Sequence, residues 1–118
     1  MRHRLGRKKL NMKASHKRSL MRNQVIHLIE YGVLKTTTAR VKEVRKLAEK
    51  LVTLAKKGED FNSIRRAKQL LPYKQAAIKK LFKEVAPKYV DRPGGYTRII
   101  PIGQRPSDTA SISRLEWV

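Results

Sequence analysis

The sequence predicts a domain of the α/β (α+β) class, with three to four helices packed on a small sheet of about three strands and a basic extension in front. Three observations lead there. Apolar residues recur at helical spacing in several stretches, most of them ended by glycine or proline. Three other stretches, one after Gly32 and two near the C-terminal end, are short and β-branched or alternating, as strands are. The first 23 residues carry nine fixed cations, and the first carboxylate of the chain is Glu30.

That extension is taken as residues 1–14, with a single domain over 15–118. Its apolar residues Leu5, Leu10 and Met12 follow neither period, so no packed structure is expected before it meets a partner. Ser15 is the expected N-cap of a helix running to Tyr31, with Leu20, Met21, Val25, Leu28 and Ile29 as its stripe and Gly32 as its stop. Arg18 and Arg22, four apart, are expected on its outer face. Val33 to Thr37 reads as a strand. Thr38 then caps the best helix in the chain, Ala39 to Lys57, whose inner stripe is Val41, Val44, Leu47, Ala48, Leu51, Leu54 and Ala55.

Asp60 is the expected cap of a third helix from Phe61 to Leu71, broken by Pro72. Ile64, Ala67, Leu70 and Leu71 form its inner face. A fourth segment, Tyr73 to Ala86, should end at Pro87. Asp91 to Tyr96 contains Pro93-Gly94-Gly95 and reads as a turn, because proline fixes φ and glycine takes positive φ freely. Tyr96 to Ile102 and Ile112 to Val118 pair as the last two strands, with Pro101 at an edge.

Composition narrows function before any motif does. Of 118 residues, 29 are Lys or Arg and 9 are Asp or Glu, a net charge of +20. Self-repulsion on that scale opposes folding, and a polyanionic partner relieves it. With no cysteine there are no disulfides, thiolate metal sites or cysteine nucleophiles. The three histidines lack acidic partners at catalytic spacing, the adjacent acids Glu59 and Asp60 read as a capping turn, and Gly94-Gly95 precedes a strand where a phosphate-binding loop precedes a helix. No enzyme, metal, cofactor or small-molecule substrate is therefore expected. No signal peptide or membrane-length apolar run is present, and the arm has no aromatic anchor, so a soluble intracellular protein without a membrane role is expected.

The polyanion best suited to this chain is RNA. Arg2, His3, Arg4, Arg7, Lys8, Lys9, Lys13, His16, Lys17 and Arg18 alternate with Leu5, Gly6, Leu10, Asn11 and Ser15, a mixture that can thread along phosphates and bases, and Arg22 with Asn23 continues it. Lys35 with Thr36 and Thr37 places hydroxyls beside a cation at a helix start. Arg92, Gly94, Gly95, Tyr96 and Arg98 combine close backbone approach, charge and one ring.

These same residues carry a resemblance. Met1-Arg2-His3-Arg4, Gly6-Arg7-Lys8, His16-Lys17-Arg18, Arg22-Asn23, Thr36-Thr37 before Lys42-Glu43-Val44-Arg45, Leu81-Phe82, Ala86-Pro87 and Gly94-Gly95-Tyr96-Thr97-Arg98 follow in an order that resembles bacterial ribosomal protein seventeen of the large subunit. The sequence departs from that pattern at Met12-Lys13 and in the loop 104–109. The resemblance implies a small mixed sheet, an arm running into ribosomal RNA near the peptide-exit side, and no catalysis. Its partners would be that RNA and neighbouring large-subunit proteins in the cytoplasmic ribosome, without homo-oligomers.

Overall fold

The computed structural model describes residues 10, 12–72 and 74–118, so Arg2, His3, Arg4, Gly6, Arg7, Lys8 and Lys9 of the arm lie outside the described residues. Helix α1 spans Ala14–Tyr31, β1 Val33–Thr37, α2 Thr38–Ala55, α3 Phe61–Leu70 and α4 Gln75–Lys80. The coil continues as a π-helical turn, Leu81–Val85, and a 3-10 turn, Ala86–Tyr89, before β2, Thr97–Gln104, and β3, Ser111–Trp117. Helices and sheet form two layers, and the fold is α+β as expected.

The sheet order is β1-β3-β2, and both pairings are antiparallel. This corrects the expected mixed sheet. β1 and β2 run the same way, but the last strand inserts between them and reverses both pairings. A bulge at Pro101/Gly103 shifts the β2 register where proline offers no N–H to the ladder.

One sheet face carries Leu34, Leu115 and Ser113, all buried, and receives the helices. The core joins them to Val25, Leu28 and Ile29 of α1, Val41, Val44, Ala48 and Leu51 of α2, and Leu81 and Val85 of the π-helical turn. Leu10 packs against this cluster from beyond the start of α1. Gly32 stops α1 as the sequence predicts, with φ of 81° and its N–H donating to the Leu28 carbonyl at 2.8 Å.

The caps differ from expectation. Lys13, not Ser15, stands at the N-cap of α1, and Ser15 lies inside the helix. Thr37 takes the N-cap position of α2, leaving Thr38 in the first turn, where its Oγ1 shares a 2.7 Å hydrogen bond with Ser113 Oγ. That bond satisfies two hydroxyls at the helix–sheet seam. Asp60 does occupy the N-cap of α3, though without a side-chain capping bond. Pro87 does not end the fourth segment, because proline is tolerated in the first turn of a helix and here opens a 3-10 turn.

Candidate nucleic-acid interface

The first helix presents its cations differently from the sequence expectation. Arg18 precedes the buried Val25 by seven residues and Arg22 precedes the buried Ile29 by seven, so both lie on the inner face of α1. Arg18 is nevertheless exposed and Arg22 half-buried, because a groove runs along this part of the face. Arg18 and Arg22, with Lys17, line a groove of about 470 Å3 whose other walls are Lys46, Leu47 and Leu70. Arg22 Nη2 reaches the Gln69 carbonyl of α3 at 3.4 Å. Glu43 sits inside the groove and meets Lys17 at 3.4 Å and Lys46 at 3.0 Å. One carboxylate thus bridges two lysines and offsets their mutual repulsion.

The outward face of α1 carries the exposed residues His16, Asn23, His27 and Tyr31. The His27 and Tyr31 rings lie 4.7 Å apart, and Tyr31 is 69% exposed. Neither residue belongs to the binding set expected from the sequence. The available signal was their spacing of four on a helix, which stacks side chains on one face.

Lys35, Thr36 and Thr37 line a second groove, also of about 470 Å3, between the end of β1, the start of α2 and the β2–β3 hairpin. Arg40, Gln104 and Arg105 complete it, none of which the sequence singled out. Only the sheet pairing brings the hairpin beside Lys35, so no local motif could have found Gln104 and Arg105, whereas Arg40 stands five residues after Lys35 in the first turn of α2. Arg105 grips Asp108 through Nε and Nη2 at 3.0 and 2.8 Å, and Asp108 Oδ1 also accepts from the Ala110 N–H at 3.2 Å. Those bonds, the Arg105 side chain first, hold the Asp108 carboxyl down from 3.8 to about 2. A depressed carboxyl contributes order that is full above its ordinary value and lost as pH falls through the folded value. The Ala110 amide resonance should therefore titrate near pH 2. Arg105→Ala should move that midpoint upward, towards the ordinary aspartate range near 3.9.

The turn at Arg92 to Tyr96 lies elsewhere. Lys56 at the C-terminal end of α2 donates to the Arg92 carbonyl at 2.7 Å, and Thr53 Oγ1 donates to the Tyr96 hydroxyl at 3.3 Å. α2 is about 27 Å long, so this turn and the Lys35–Thr37 groove mark its opposite ends. Arg92 and Gly95 are exposed, and Gly95 has φ of 65° with open space where a Cβ would stand. Tyr96 is buried, so its ring is not open for stacking with a partner: its N–H donates to Glu49 at 3.0 Å and its ring packs at 5.4 Å from Tyr89. Arg98 is held at 2.6 Å by Glu116, so its charge is partly spent within the sheet.

Lys13, His16 and Asn23 are exposed on and just before α1. The structure therefore gathers Lys13, Lys17, Arg18 and Arg22 around the base of the arm and places Lys35 to Thr37 at the start of α2. It leaves the turn at Arg92 to Arg98 apart. Among the described residues no cluster of three metal-ligating side chains occurs, and no helix is long and apolar enough to cross a membrane.

Comparison with known proteins gives a consistent set of relatives. A family model described as Ribosomal protein L17 matches residues 20–118. The chain is 46% identical over 118 residues to the large ribosomal subunit protein bL17 of Syntrophus aciditrophicus, covering all of this chain and 93% of that protein. The bL17 of Desulforudis audaxviator is 46% identical over 114 residues, which span 97% of this chain and 100% of that one. That of Thermoanaerobacter sp. is 42% identical over 116 residues, again 97% and 100% of the two chains.

Proposed function

We propose that this chain, which belongs to the ribosomal protein L17 family, binds ribosomal RNA by neutralising phosphates and fitting its shape. The family is one of structural constituents of the bacterial large ribosomal subunit, not of enzymes. The observation that carries the RNA reading is the continuity of charge. Nine cations precede Glu30, and the last of them, Lys17, Arg18 and Arg22, line a groove. Arg2, His3, Arg4, Gly6, Arg7, Lys8 and Lys9 lead the arm, the part of the proposed extension 1–14 that meets RNA ahead of Leu10, which packs on the core, and of α1, which begins at Ala14.

Phosphate contacts of this kind position a protein without reading bases. Grooves at the arm's base and at Lys35 to Thr37 then receive backbone segments, while Arg92, Gly94 and Gly95 offer a further contact at the far end of α2. The working place of the chain is the cytoplasmic ribosome, near the peptide-exit side of the large subunit and among neighbouring subunit proteins, as a single copy without self-association. Sucrose-gradient sedimentation after a high-salt wash tests this. The chain should stay with the large subunit, whereas finding it on chromosomal DNA and absent from the subunit would overturn the reading. Arg18→Ala with Arg22→Ala should weaken RNA binding about tenfold or more at moderate salt, as two phosphate contacts are lost, with the helix content by circular dichroism unchanged.

A further inference from the structure

A groove of about 240 Å3 opens between α3 and α4. Ile64, Ile78 and Phe82 make its floor, and Lys68, Lys79 and Lys83 stand around its rim, with Glu59 closing one end. It exists because α3 turns its small buried residues, Ser63 and Ala67, towards the core, leaving Ile64 and Lys68 on the neighbouring ridge. The opposite wall runs through the switch from α4 into the π-helical turn, a wider coil that recurs at functional sites. Phe61, three residues before Ile64 on the same ridge, is 74% exposed and extends the apolar strip past the groove.

The rim lysines form no ion pair with a carboxylate among the described residues, whereas Lys74 and Lys80 nearby pair with Glu30 and Glu84. No residue assigned above to RNA lines this groove. A phosphate backbone would use the lysines and leave the apolar floor and Phe61 uncovered. Phe82 is only 7% exposed and offers no open ring face on which a base could stack, and the exposed Phe61 ring already carries the Arg65 guanidinium 5.7 Å from its centroid. An amphipathic peptide covers both parts, since apolar anchors take the floor and acidic residues meet the rim.

We propose that this groove docks a short acidic, amphipathic segment of a neighbouring protein. Its apolar side chains lie on Ile64, Ile78 and Phe82, and its carboxylates lie among Lys68, Lys79 and Lys83. The proposal rests on the preceding reading only for where that neighbour is found, namely the large subunit.

The test is photo-crosslinking within assembled large subunits that carry the full chain. A photoreactive amino acid replaces the exposed groove residue Gln75 in one variant and His16, on the RNA-facing helix, in a control. Sedimentation first establishes that each variant is in the subunit; its absence there would remove the constituent reading and this neighbour with it. The crosslink from position 75 should map by mass spectrometry to a protein segment of net negative charge with apolar residues at helical or alternating spacing. Lys68→Glu with Lys83→Glu should lower its yield about tenfold while the chain stays in the subunit. A crosslink from position 75 to RNA, a basic partner segment, a yield indifferent to charge reversal, or no protein crosslink where the control reacts would each overturn the proposal.

Discussion

Removing residues 2–9 is expected to flatten the salt dependence of RNA binding by about four units of log–log slope. The segment holds five fixed cations, Arg2, Arg4, Arg7, Lys8 and Lys9. Each phosphate neutralised contributes roughly 0.7 to 0.9 to the slope through released counterions. A fourfold rise in salt should then weaken the full chain about 250-fold more than the trimmed one. The cut is placed after Lys9 for a structural reason: Leu10 packs against the core and Lys13 stands at the N-cap of α1, so both are kept. Thermal unfolding should move by less than about 0.5 kcal/mol, the usual range for surface changes. Filter binding of a large-subunit RNA fragment across a salt series provides the measurement. An unchanged slope would assign the binding to the grooves at Arg18 and Arg40, leaving the arm idle.

The difference between arm and grooves also marks what the sequence could convey. Helical stripes are legible because burial repeats with the helical period, and α2 shows it: Val41, Val44, Ala48, Leu51 and Ala55 are all buried. Strand positions are legible for a similar reason. What spacing cannot state is how far a partner element reaches. Arg18 and Arg22 follow the inner stripe by period, yet their charge suggests the outside. They are inner residues that line a groove against Lys46 and Leu47 of α2 and Leu70 of α3, an arrangement set by tertiary packing.

The same limit explains the sheet and the sites. The positions of β1, β2 and β3 follow from composition, but the insertion of β3 between the other two depends on packing over the whole chain. Gln104 and Arg105 enter a groove with Lys35 only through that pairing. Tyr96, beside two glycines, reads from the sequence as a ring for stacking or hydrogen bonding, yet it is buried. Its ring packs on Tyr89 and its N–H is accepted by Glu49, a partner 47 residues earlier in the chain.

Glu49 is accordingly the residue whose loss should cost the domain most for a surface-reaching side chain. Its carboxylate accepts from the Tyr96 N–H at 3.0 Å, the Thr97 N–H at 3.3 Å and the Thr97 hydroxyl at 3.0 Å. Thr97 is buried, so Glu49→Ala strands donors at the start of β2 that have little water to turn to. Each bond to a charged acceptor contributes on the order of 1.5 to 3 kcal/mol, but the three share one carboxylate, and Glu49 itself is 22% exposed. A total of about 2 to 4 kcal/mol follows, a fall in Tm of roughly 10 to 20 °C for a domain of this size. Arg45, which approaches Glu49 at 3.7 Å and is 43% exposed, separates the two explanations available. If the carboxylate acts as an ion-pair partner, Arg45→Ala should match much of the loss. If it acts as a hydrogen-bond acceptor for the strand, Arg45→Ala should cost less than about 1 kcal/mol, as exposed pairs do. Thr97→Val, which removes the hydroxyl alone, should fall between them at about 1 kcal/mol. Equal, small losses for Glu49→Ala and Arg45→Ala would mean that burial of Tyr96 holds the turn without the carboxylate.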